Sequence, residues 1–260
     1  MRLVRTLFLG TLALTGATFA VVSCVSDSNP TDAGAGDSGP ADSGPPPVTF
    51  CTSIDADLCE DFDRADALPS PPQITNGFGD IALDTQVFRS PPRSAHVLLN
   101  PTVADGGFTA ALERFDVPVG GANGFTLDFD WYLATVNMAP NWTLDLVIVR
   151  GDGTGGSAVH LQGVNGVTTL SAGIGFAPVP MPMLNQWTHV TVDAIWNGNV
   201  ADGGSAGDLA VTVGNTATVH TPLSGPKPGS TFNALFGGVR ILSPSPTVQY
   251  SVDNVVIHRR

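Results

Sequence analysis

The stretch GFTLDFDWYLATV, residues 124–136, decides the fold because apolar and polar side chains alternate along its length. Successive side chains of a β-strand point to opposite faces, so the pattern predicts a strand with one buried face and one face toward solvent. The predicted buried face holds large apolar side chains: Leu127, Phe129, Trp131 and Leu133. The other face holds polar side chains: Asp128, Asp130 and Tyr132.

The stretch QWTHVTVDAIWNG, residues 186–198, has the same alternation. Its apolar positions are Val190, Val192, Ala194 and Trp196, and its polar positions include His189, Thr191 and Asp193. From residue 50 onward, short alternating runs are bounded by Gly, Pro, Asn and Asp, which predicts an all-β domain over residues 48–260. The predicted strands are 59–64, 78–84, 94–99, 108–117, 124–136, 142–150, 157–164, 167–173, 187–196, 208–213, 216–220, 235–242 and 248–258. A single β-sandwich commonly reaches this length.

The N-terminal residues have the features of an export signal. Arg2 and Arg5 precede an apolar run that is interrupted by Gly and Thr and falls short of the ~20 apolar residues that span a bilayer. The run ends in VVSC, residues 21–24, which resembles the lipobox of bacterial lipoprotein signal peptides. This resemblance implies that residues 1–23 are removed and that Cys24 is lipidated. The alternative is an ordinary secretory signal with an incidental cysteine.

The segment between Cys24 and residue 47 consists almost wholly of Asp, Ser, Gly, Ala and Pro. Such a composition has too little apolar area to offset the entropy lost on folding, so we expect a disordered linker over residues 24–47. A linker suits a domain tethered to a membrane by lipid. Val25 follows Cys24, where aspartate would favour retention in the inner membrane, so the resemblance implies the outer membrane, on its periplasmic or surface face.

The chain has three cysteines. Once Cys24 is assigned to lipid, Cys51 and Cys59 remain, and we predict that they form a disulfide in an oxidising compartment. Two reduced thiols are the alternative. A zinc site built on this pair would lack further cysteines to complete it.

The formal net charge of −12 excludes a nucleic-acid partner, because the few basic residues are scattered and form no cluster for phosphate. Aspartate outnumbers glutamate 21 to two. Aspartate favours turns and hydrogen-bonded loops, so this bias is typical of a loop-rich β protein that could hold cations.

Four motifs occur in an order typical of one fold: EDFD at 60–63, WTHVTV at 187–192, LAVTVGNTATV at 209–219 and YSVDNVVI at 250–257. Over residues 57–260 the chain resembles the concanavalin A-like lectin/glucanase superfamily, particularly its laminin-G-like members. The resemblance implies a jelly-roll sandwich of two antiparallel sheets, one of them concave, with the first and last strands adjacent. We expect a monomer.

Adjacent terminal strands would bring CEDFDR, residues 59–64, close to VDNVV, residues 252–256. The alternation breaks at Asp253 and Asn254, which predicts a β-bulge. Related jelly rolls often hold a structural calcium there, so the resemblance implies one Ca²⁺, with Asp63 and Asp253 as ligands and Asp61 as a further candidate. The alternative is that these acids accept hydrogen bonds from loop amides or face water, while Phe62 anchors the strand.

Aromatic rings stack on the apolar faces of sugars, and carboxylates accept hydrogen bonds from sugar hydroxyls. The candidate carbohydrate-binding residues are Asp128, Asp130, Tyr132, Trp142, Trp187 and His189. The alternatives are that each tryptophan is buried in the sandwich, that His189 is a structural strand residue, and that the two aspartates simply face solvent.

These features predict a lipoprotein of the cell envelope whose domain binds carbohydrate or another envelope component. One alternative is a glycan-cleaving hydrolase or lyase with an atypical site on the concave face. The E-x-D-x-x-E motif of laminarinase-type hydrolases is absent, and the residue types that a lyase needs, such as His160 and Arg150, are dispersed. No catalytic residue is therefore assigned. The second alternative is a structural or adhesive surface protein.

Overall fold

The computed structural model describes residues 49–63, 79–99, 110–137, 143–150, 156–164, 167–173, 175–197, 207–223, 227, 229–239 and 247–260. These residues belong to a compact unit, Pro47–Arg260. The predicted signal peptide (1–23), Cys24, the linker to residue 47 and Trp142 lie outside the described residues. Across the described ranges, no helix is long and apolar enough to cross a membrane.

The described residues form β-strands and one short 3-10 helix, Phe50–Ser53, which confirms the all-β prediction. The strands are β1 (Leu58–Glu60), β2 (Gly79–Asp84), β3 (Ser94–Leu99), β4 (Ala110–Pro118), β5 (Gly124–Asn137), β6 (Thr143–Arg150), β7 (Gly156–Val164), β8 (Val167–Ala172), β9 (Ala177–Val179), β10 (Trp187–Trp196), β11 (Gly207–Val213), β12 (Val219–Leu223), β13 (Thr231–Val239) and β14 (Thr247–Arg259).

The strands form two sheets. The eight-stranded sheet has the order β12-β11-β10-β5-β14-β3-β2, and β1 also pairs with β14. The six-stranded sheet has the order β4-β13-β6-β7-β8-β9. Each described strand pair is antiparallel. Strands distant in sequence, such as β5 and β14, therefore become neighbours.

The core lies between the sheets and contains the apolar positions predicted for β5 and β10, each at most 2% exposed: Leu127, Phe129, Trp131, Leu133, Val190, Val192, Ala194 and Trp196. Aromatic rings join the two layers. Phe129 of β5 contacts Phe236 of β13 edge to face, with ring centroids 4.9 Å apart. Burying each such side chain contributes roughly 1.5–3 kcal/mol, so the alternating pattern of β5 fixes its orientation.

The predicted disulfide between Cys51 and Cys59 is present, with its Cα atoms 5.6 Å apart. The bridge ties the 3-10 helix to β1. The backbone N–H of Cys51 also donates a hydrogen bond to Asp61 Oδ2 at 2.9 Å, which fixes the segment that enters the sandwich.

The adjacency of the terminal strands is confirmed, since Leu58 pairs with Ile257 and Glu60 with Val255. The bulge in β14 is confirmed as well, because the register with β5 shifts between Asp253 and Val256. Within the bulge, Asn254 has a φ of 53°. Asparagine adopts this left-handed conformation more readily than most residues.

Some strand limits differ from the prediction. A strand was expected over 59–64, but β1 ends at Glu60 because Phe62 has a φ of 59° and leaves the extended conformation. The hairpin after β11 turns at Gly214, as expected, but β12 begins at Val219 instead of residue 216. Strand β9 was not predicted, and β13 begins at Thr231, four residues early.

Candidate functional site

Strands β5 and β10 lie side by side, and their polar faces form one continuous surface opposite the core. Their register places Asp128 opposite Thr191, Asp130 opposite His189, and Tyr132 opposite Trp187. We name these six residues the β5–β10 strip. Four of them, Asp128, Asp130, Tyr132 and His189, belong to the set predicted from the sequence for ligand binding, and Trp187 was a further candidate for stacking.

His189 lies between the two carboxylates of the strip. Its Nε2 is 3.4 Å from Asp128 Oδ1, and its Nδ1 is 3.4 Å from Asp130 Oδ1. The hydrogen bonds to Asp128 and then to Asp130 raise the pKa of His189 to about 9. The imidazole is therefore doubly protonated near neutral pH and donates from both nitrogens.

The two carboxylates stay ionised despite partial burial. Burial alone would raise the pKa of Asp128, but hydrogen bonds from His189 and Thr191 outweigh it and hold the pKa below its usual value. Burial alone would likewise raise the pKa of Asp130, but hydrogen bonds from His189 and Asn254 outweigh it and lower the pKa. Thr191 donates its hydroxyl to Asp128 Oδ1 at 2.6 Å. The polar half of the strip is thus a cluster of charged side chains joined by hydrogen bonds.

The aromatic half of the strip consists of Tyr132 and Trp187. Their ring centroids are 5.4 Å apart at an interplanar angle of 50°, and both side chains are partly exposed. Trp131 and Trp196, in contrast, are buried in the core. The alternative that Trp187 is buried in the sandwich is therefore wrong, because its position in β10 points it away from the core.

The loop between β2 and β3 contributes Arg89, which sequence analysis missed. Arg89 Nε is 4.0 Å from Asp130 Oδ2, and its side chain is 58% exposed. The backbone N–H groups of Arg89 and Ser90 both donate to Asp253 Oδ2, at 2.8 and 2.9 Å. A carboxylate from the last strand thus holds the loop beside the strip, a contact across more than 160 residues that no local pattern indicates.

Asn254 of the bulge links this loop to the strip. Its Nδ2 donates to Asp130 Oδ2 at 2.9 Å, and its Oδ1 accepts from the Ser90 hydroxyl at 2.8 Å. The broken alternation at Asp253–Asn254 indicated an irregularity here, but not its partners. The left-handed backbone at Asn254 directs its side chain toward Asp130.

The three acids predicted as calcium ligands lie close to the bulge and accept amide hydrogen bonds. Asp61 accepts the N–H groups of Cys51 at 2.9 Å and Asp63 at 3.3 Å. Asp253 accepts three N–H groups, and Asp63 Oδ1 accepts the Arg93 N–H at 3.3 Å. The amide-binding alternative from the sequence therefore describes much of what these carboxylates do.

One atom in this region is not satisfied in that way. Asp63 Oδ2 is buried and has no hydrogen-bond partner among the described residues. Burial, together with the charge of Asp61, raises the pKa of Asp63 to about 6. Burial and the charge of Asp63 raise the pKa of Asp253 to about 7. A carboxylate oxygen without a partner beside a second carboxylate fits a hard cation.

The number of ligating side chains is small, however. In the ranges that the structure describes, no group of three or more His, Cys, Asp and Glu side chains is arranged to hold a metal ion. Calcium also accepts backbone and amide oxygens and water, so two carboxylates do not exclude it. The calcium assignment stays a prediction.

The lyase-type residues are divided between the two sheets, and only Tyr132 and His189 of the described ones share the strip. His160 belongs to β7 of the six-stranded sheet, whereas His189 and Tyr132 belong to the eight-stranded sheet. His160 is 8% exposed, its Nε2 is 3.1 Å from the Gly173 carbonyl oxygen, and the Phe176 ring lies against it at 5.0 Å. The Arg150 side chain lies outside the described part of the chain.

No protein-family model matches the chain, and no curated protein sequence is detectably similar to it. Solved structures match at the level of the fold. The cellulose-induced protein Cip1 has a TM-score of 0.51 at 15% sequence identity, over 77% of this chain and 96% of that chain. The chain has a concanavalin A-like jelly-roll fold.

A second similar structure is an endo-β-1,4-glucuronan lyase from the fungus Trichoderma reesei. Its TM-score is 0.51 at 13% identity, over 79% of this chain and 96% of the lyase. At such identities the likeness concerns the fold alone. Any activity has to be argued from the residues of this chain.

Proposed function

We propose that this domain binds carbohydrate through the β5–β10 strip. The observation that carries the proposal is the pairing, on adjacent strands, of a partly exposed aromatic pair with an ion cluster. Tyr132 and Trp187 can stack on the apolar face of a sugar ring, and Asp128 can accept a hydrogen bond from a hydroxyl. The glucuronan lyase that shares the fold acts on a polysaccharide, which is consistent with this proposal.

The protonation states of the strip favour binding over catalysis. A general base must be able to accept a proton near working pH, but the raised pKa of His189 keeps it protonated. Glycoside hydrolysis needs one protonated carboxylic acid, but the lowered pKa values of Asp128 and Asp130 leave neither as a donor. A glycan-cleaving enzyme is the second candidate, favoured by the likeness in fold to a glucuronan lyase.

Calorimetric titration of the purified protein with soluble polysaccharides tests the proposal. We expect binding that Trp187→Ala weakens at least ten-fold and that His220→Ala leaves unchanged, because His220 lies on β12, two strands from β10, and its imidazole pairs with Asp208 of β11. The absence of binding to any glycan would support a structural or adhesive surface protein instead. Release of reducing ends or of unsaturated sugars would support the enzyme.

We further propose that the protein is a lipoprotein of the outer membrane. The lipobox-like VVSC at 21–24 and the Asp/Ser/Gly/Pro-rich segment that follows support this proposal. Metabolic labelling with radioactive palmitate tests it, and Cys24→Ser should abolish labelling and release the protein from the membrane fraction. Equal labelling of the Cys24→Ser protein would contradict the lipid anchor.

We also propose that Asp63 and Asp253 hold one structural Ca²⁺, with backbone or amide oxygens completing its coordination. The buried Asp63 Oδ2, which has no hydrogen-bond partner among the described residues, supports this assignment. The ion would neutralise two neighbouring carboxylates and stabilise the junction of the terminal strands. We expect Ca²⁺ to raise the melting temperature of the wild-type protein and to have no effect on Asp63→Asn. Identical melting in chelator and in Ca²⁺ would contradict the site.

A further inference from the structure

We infer that the strip selects an uncharged oligosaccharide, bound lengthwise along β5 and β10, and discriminates against acidic glycans. This inference rests on the carbohydrate binding proposed above and specifies the chemical class of the ligand. It depends on the length of the strip, on which oxygens of the strip can still accept a hydrogen bond, and on the balance of charge around them.

The strip is longer than one sugar ring. Residues two apart on a strand are about 6.5–7 Å apart, so Asp128 and Tyr132, four residues apart, are separated by about 13 Å. The aromatic pair lies at one end and Asp128 with Thr191 at the other. A ligand that stacks on Trp187 and also reaches Asp128 must therefore contain several sugar units in a row.

Exposed apolar side chains also occur in the segment that precedes β10. The segment that leads into β10 is held beside β5, because the Asn185 N–H donates to the Leu133 carbonyl oxygen at 2.9 Å. In this segment, Met183 is 65% exposed and Leu184 is 47% exposed. Apolar surface of this kind suits the C–H faces of uncharged sugars and offers nothing to a carboxylate.

The polar end offers an acceptor. Both oxygens of Asp130 are engaged, Oδ1 by His189 and Oδ2 by Asn254. Asp128 Oδ1 is engaged by Thr191 and His189, whereas no described residue donates a hydrogen bond to Asp128 Oδ2. An ionised carboxylate oxygen can accept a hydrogen bond but cannot donate one. It therefore favours a sugar hydroxyl, which donates, and its negative charge repels the carboxylate of a uronic acid.

Each cation near the strip lies beside a carboxylate. The His189 imidazolium lies between two carboxylates, and Arg89 is 4.0 Å from Asp130 Oδ2. At the far end of β10, Arg260 pairs with Asp193 at 3.3 Å. His189 and Arg89 stand against two carboxylates, Asp128 and Asp130, and leave no strong excess of positive charge for an anionic ligand. The neighbouring His258 imidazole also acts on Asp128.

The rest of the domain adds to this selectivity. Residues 25–47 contain four of the 23 acidic residues and residues 1–23 contain two of the 11 basic ones, so residues 48–260 hold 19 acids and nine bases. A net charge of this sign repels a polyanion over about a Debye length, ~8–10 Å at moderate salt. An uncharged glycan experiences no such repulsion.

The test is calorimetric titration of the purified protein with hexasaccharides: neutral ones (cellohexaose, xylohexaose and laminarihexaose) and acidic ones (hexaglucuronate and hexamannuronate). We expect at least one neutral hexasaccharide to bind ten-fold or more tightly than either acidic one. We expect its affinity to stay within two-fold between 20 and 200 mM NaCl, and glucose or xylose to bind at least a hundred-fold more weakly.

Two variants test whether the selectivity for neutral hexasaccharides arises from the strip. Asp128→Asn should lower affinity for the neutral hexasaccharide at least five-fold and reduce the discrimination against the acidic ones, since the repelling charge is gone. His220→Ala should change neither, and thermal unfolding checks that each variant is folded. The salt dependence of the wild-type protein needs no variant and tests the charge argument separately.

Tighter binding of an acidic hexasaccharide, weakening with salt, would overturn the inference while leaving carbohydrate binding intact. Equal affinity for a monosaccharide and its hexasaccharide would overturn the lengthwise mode. Failure to bind any sugar would refute both the inference and the proposed function.

Discussion

Replacing His189 with alanine removes the cation that lies between Asp128 and Asp130. We expect this change to destabilise the fold, because two ionised carboxylates then face each other on one side of β5 without the cation between them. His220→Ala is the matched control. His220 pairs with one carboxylate of the described residues, that of Asp208 at 2.7 Å, and both side chains are well exposed.

The expected magnitude follows from the spacing. Carboxylates on residues two apart are about 6.5–7 Å apart. At that distance two unit charges repel by about 2.4 kcal/mol at an effective dielectric of 20 and by about 0.6 kcal/mol in bulk water. The His189 side chain is 58% exposed, so solvent screens much of the interaction. We therefore expect a loss of about 1 kcal/mol, which lowers the melting temperature of a domain of this size by about 2–4 °C.

The dependence on pH identifies the cause. A histidine whose pKa is raised to about 9 contributes stability that is fully present below its unfolded value of 6.5 and is lost as pH rises through 9. The difference between wild type and His189→Ala should thus be largest at pH 5–6.5 and close to zero above pH 10. Urea unfolding followed by circular dichroism measures it across this range.

His220→Ala should cost no more than about 0.5 kcal/mol, as is usual for an exposed ion pair. The reasoning is refuted if the His189 and His220 variants lose the same stability. A loss of stability in His189→Ala that persists unchanged at pH 10 would also contradict the role of charge. Such a loss would arise instead from a cavity or from the lower strand propensity of alanine.

Three further predictions concern Asn254, the disulfide and Asp63. Asn254→Gly keeps the left-handed backbone, whereas Asn254→Ala strains it, so the free energy of unfolding of the alanine variant should be about 1 kcal/mol lower than that of the glycine variant. Both variants lose the contact to Asp130 and should bind glycan more weakly. Equal stability of the two variants would contradict the strain. Replacing both Cys51 and Cys59 with serine should lower the free energy of unfolding by roughly 2–3 kcal/mol. The free energy of unfolding of this variant should not depend on dithiothreitol. An unchanged free energy of unfolding would show that the disulfide does not stabilise the fold. In chelator, the raised pKa values of Asp63, about 6, and Asp253, about 7, mean that the native state binds these protons more tightly than the unfolded state, so the free energy of unfolding should rise as pH falls from 8 to 5. His189 adds to this rise in both proteins. Asp63→Asn should reduce the rise, and an identical slope in the two proteins would contradict the raised pKa of Asp63.

Much of the fold was predictable because strand alternation is a local property. The core faces of β5 and β10 followed directly from residues 124–136 and 186–198, and their bounds agree within one or two residues. Strand β9 was missed because three residues that include Pro178 are too few to show a period. The hairpin shift at β12 arose because Gly214 fixes where the turn begins but not how many residues follow it.

The candidate site was predictable only in part. Alternation placed Asp128, Asp130 and Tyr132 on one polar face, but the strand order is needed to bring His189 against them. Arg89 was not predictable, because it reaches Asp130 through a loop that Asp253 holds from the last strand. Contacts of this kind depend on closure of the sheet and leave no local pattern.

We propose the strip on β5 and β10 as the ligand-binding surface of the domain. Amide chemical shifts of the isotopically labelled protein, titrated with the tightest-binding hexasaccharide, test it most directly. We predict the largest changes at residues 128–132 of β5 and 187–191 of β10, including the Trp187 indole N–H. Changes confined to the outer face of the six-stranded sheet, for example along β7 and β8, with the strip unaffected, would contradict the account.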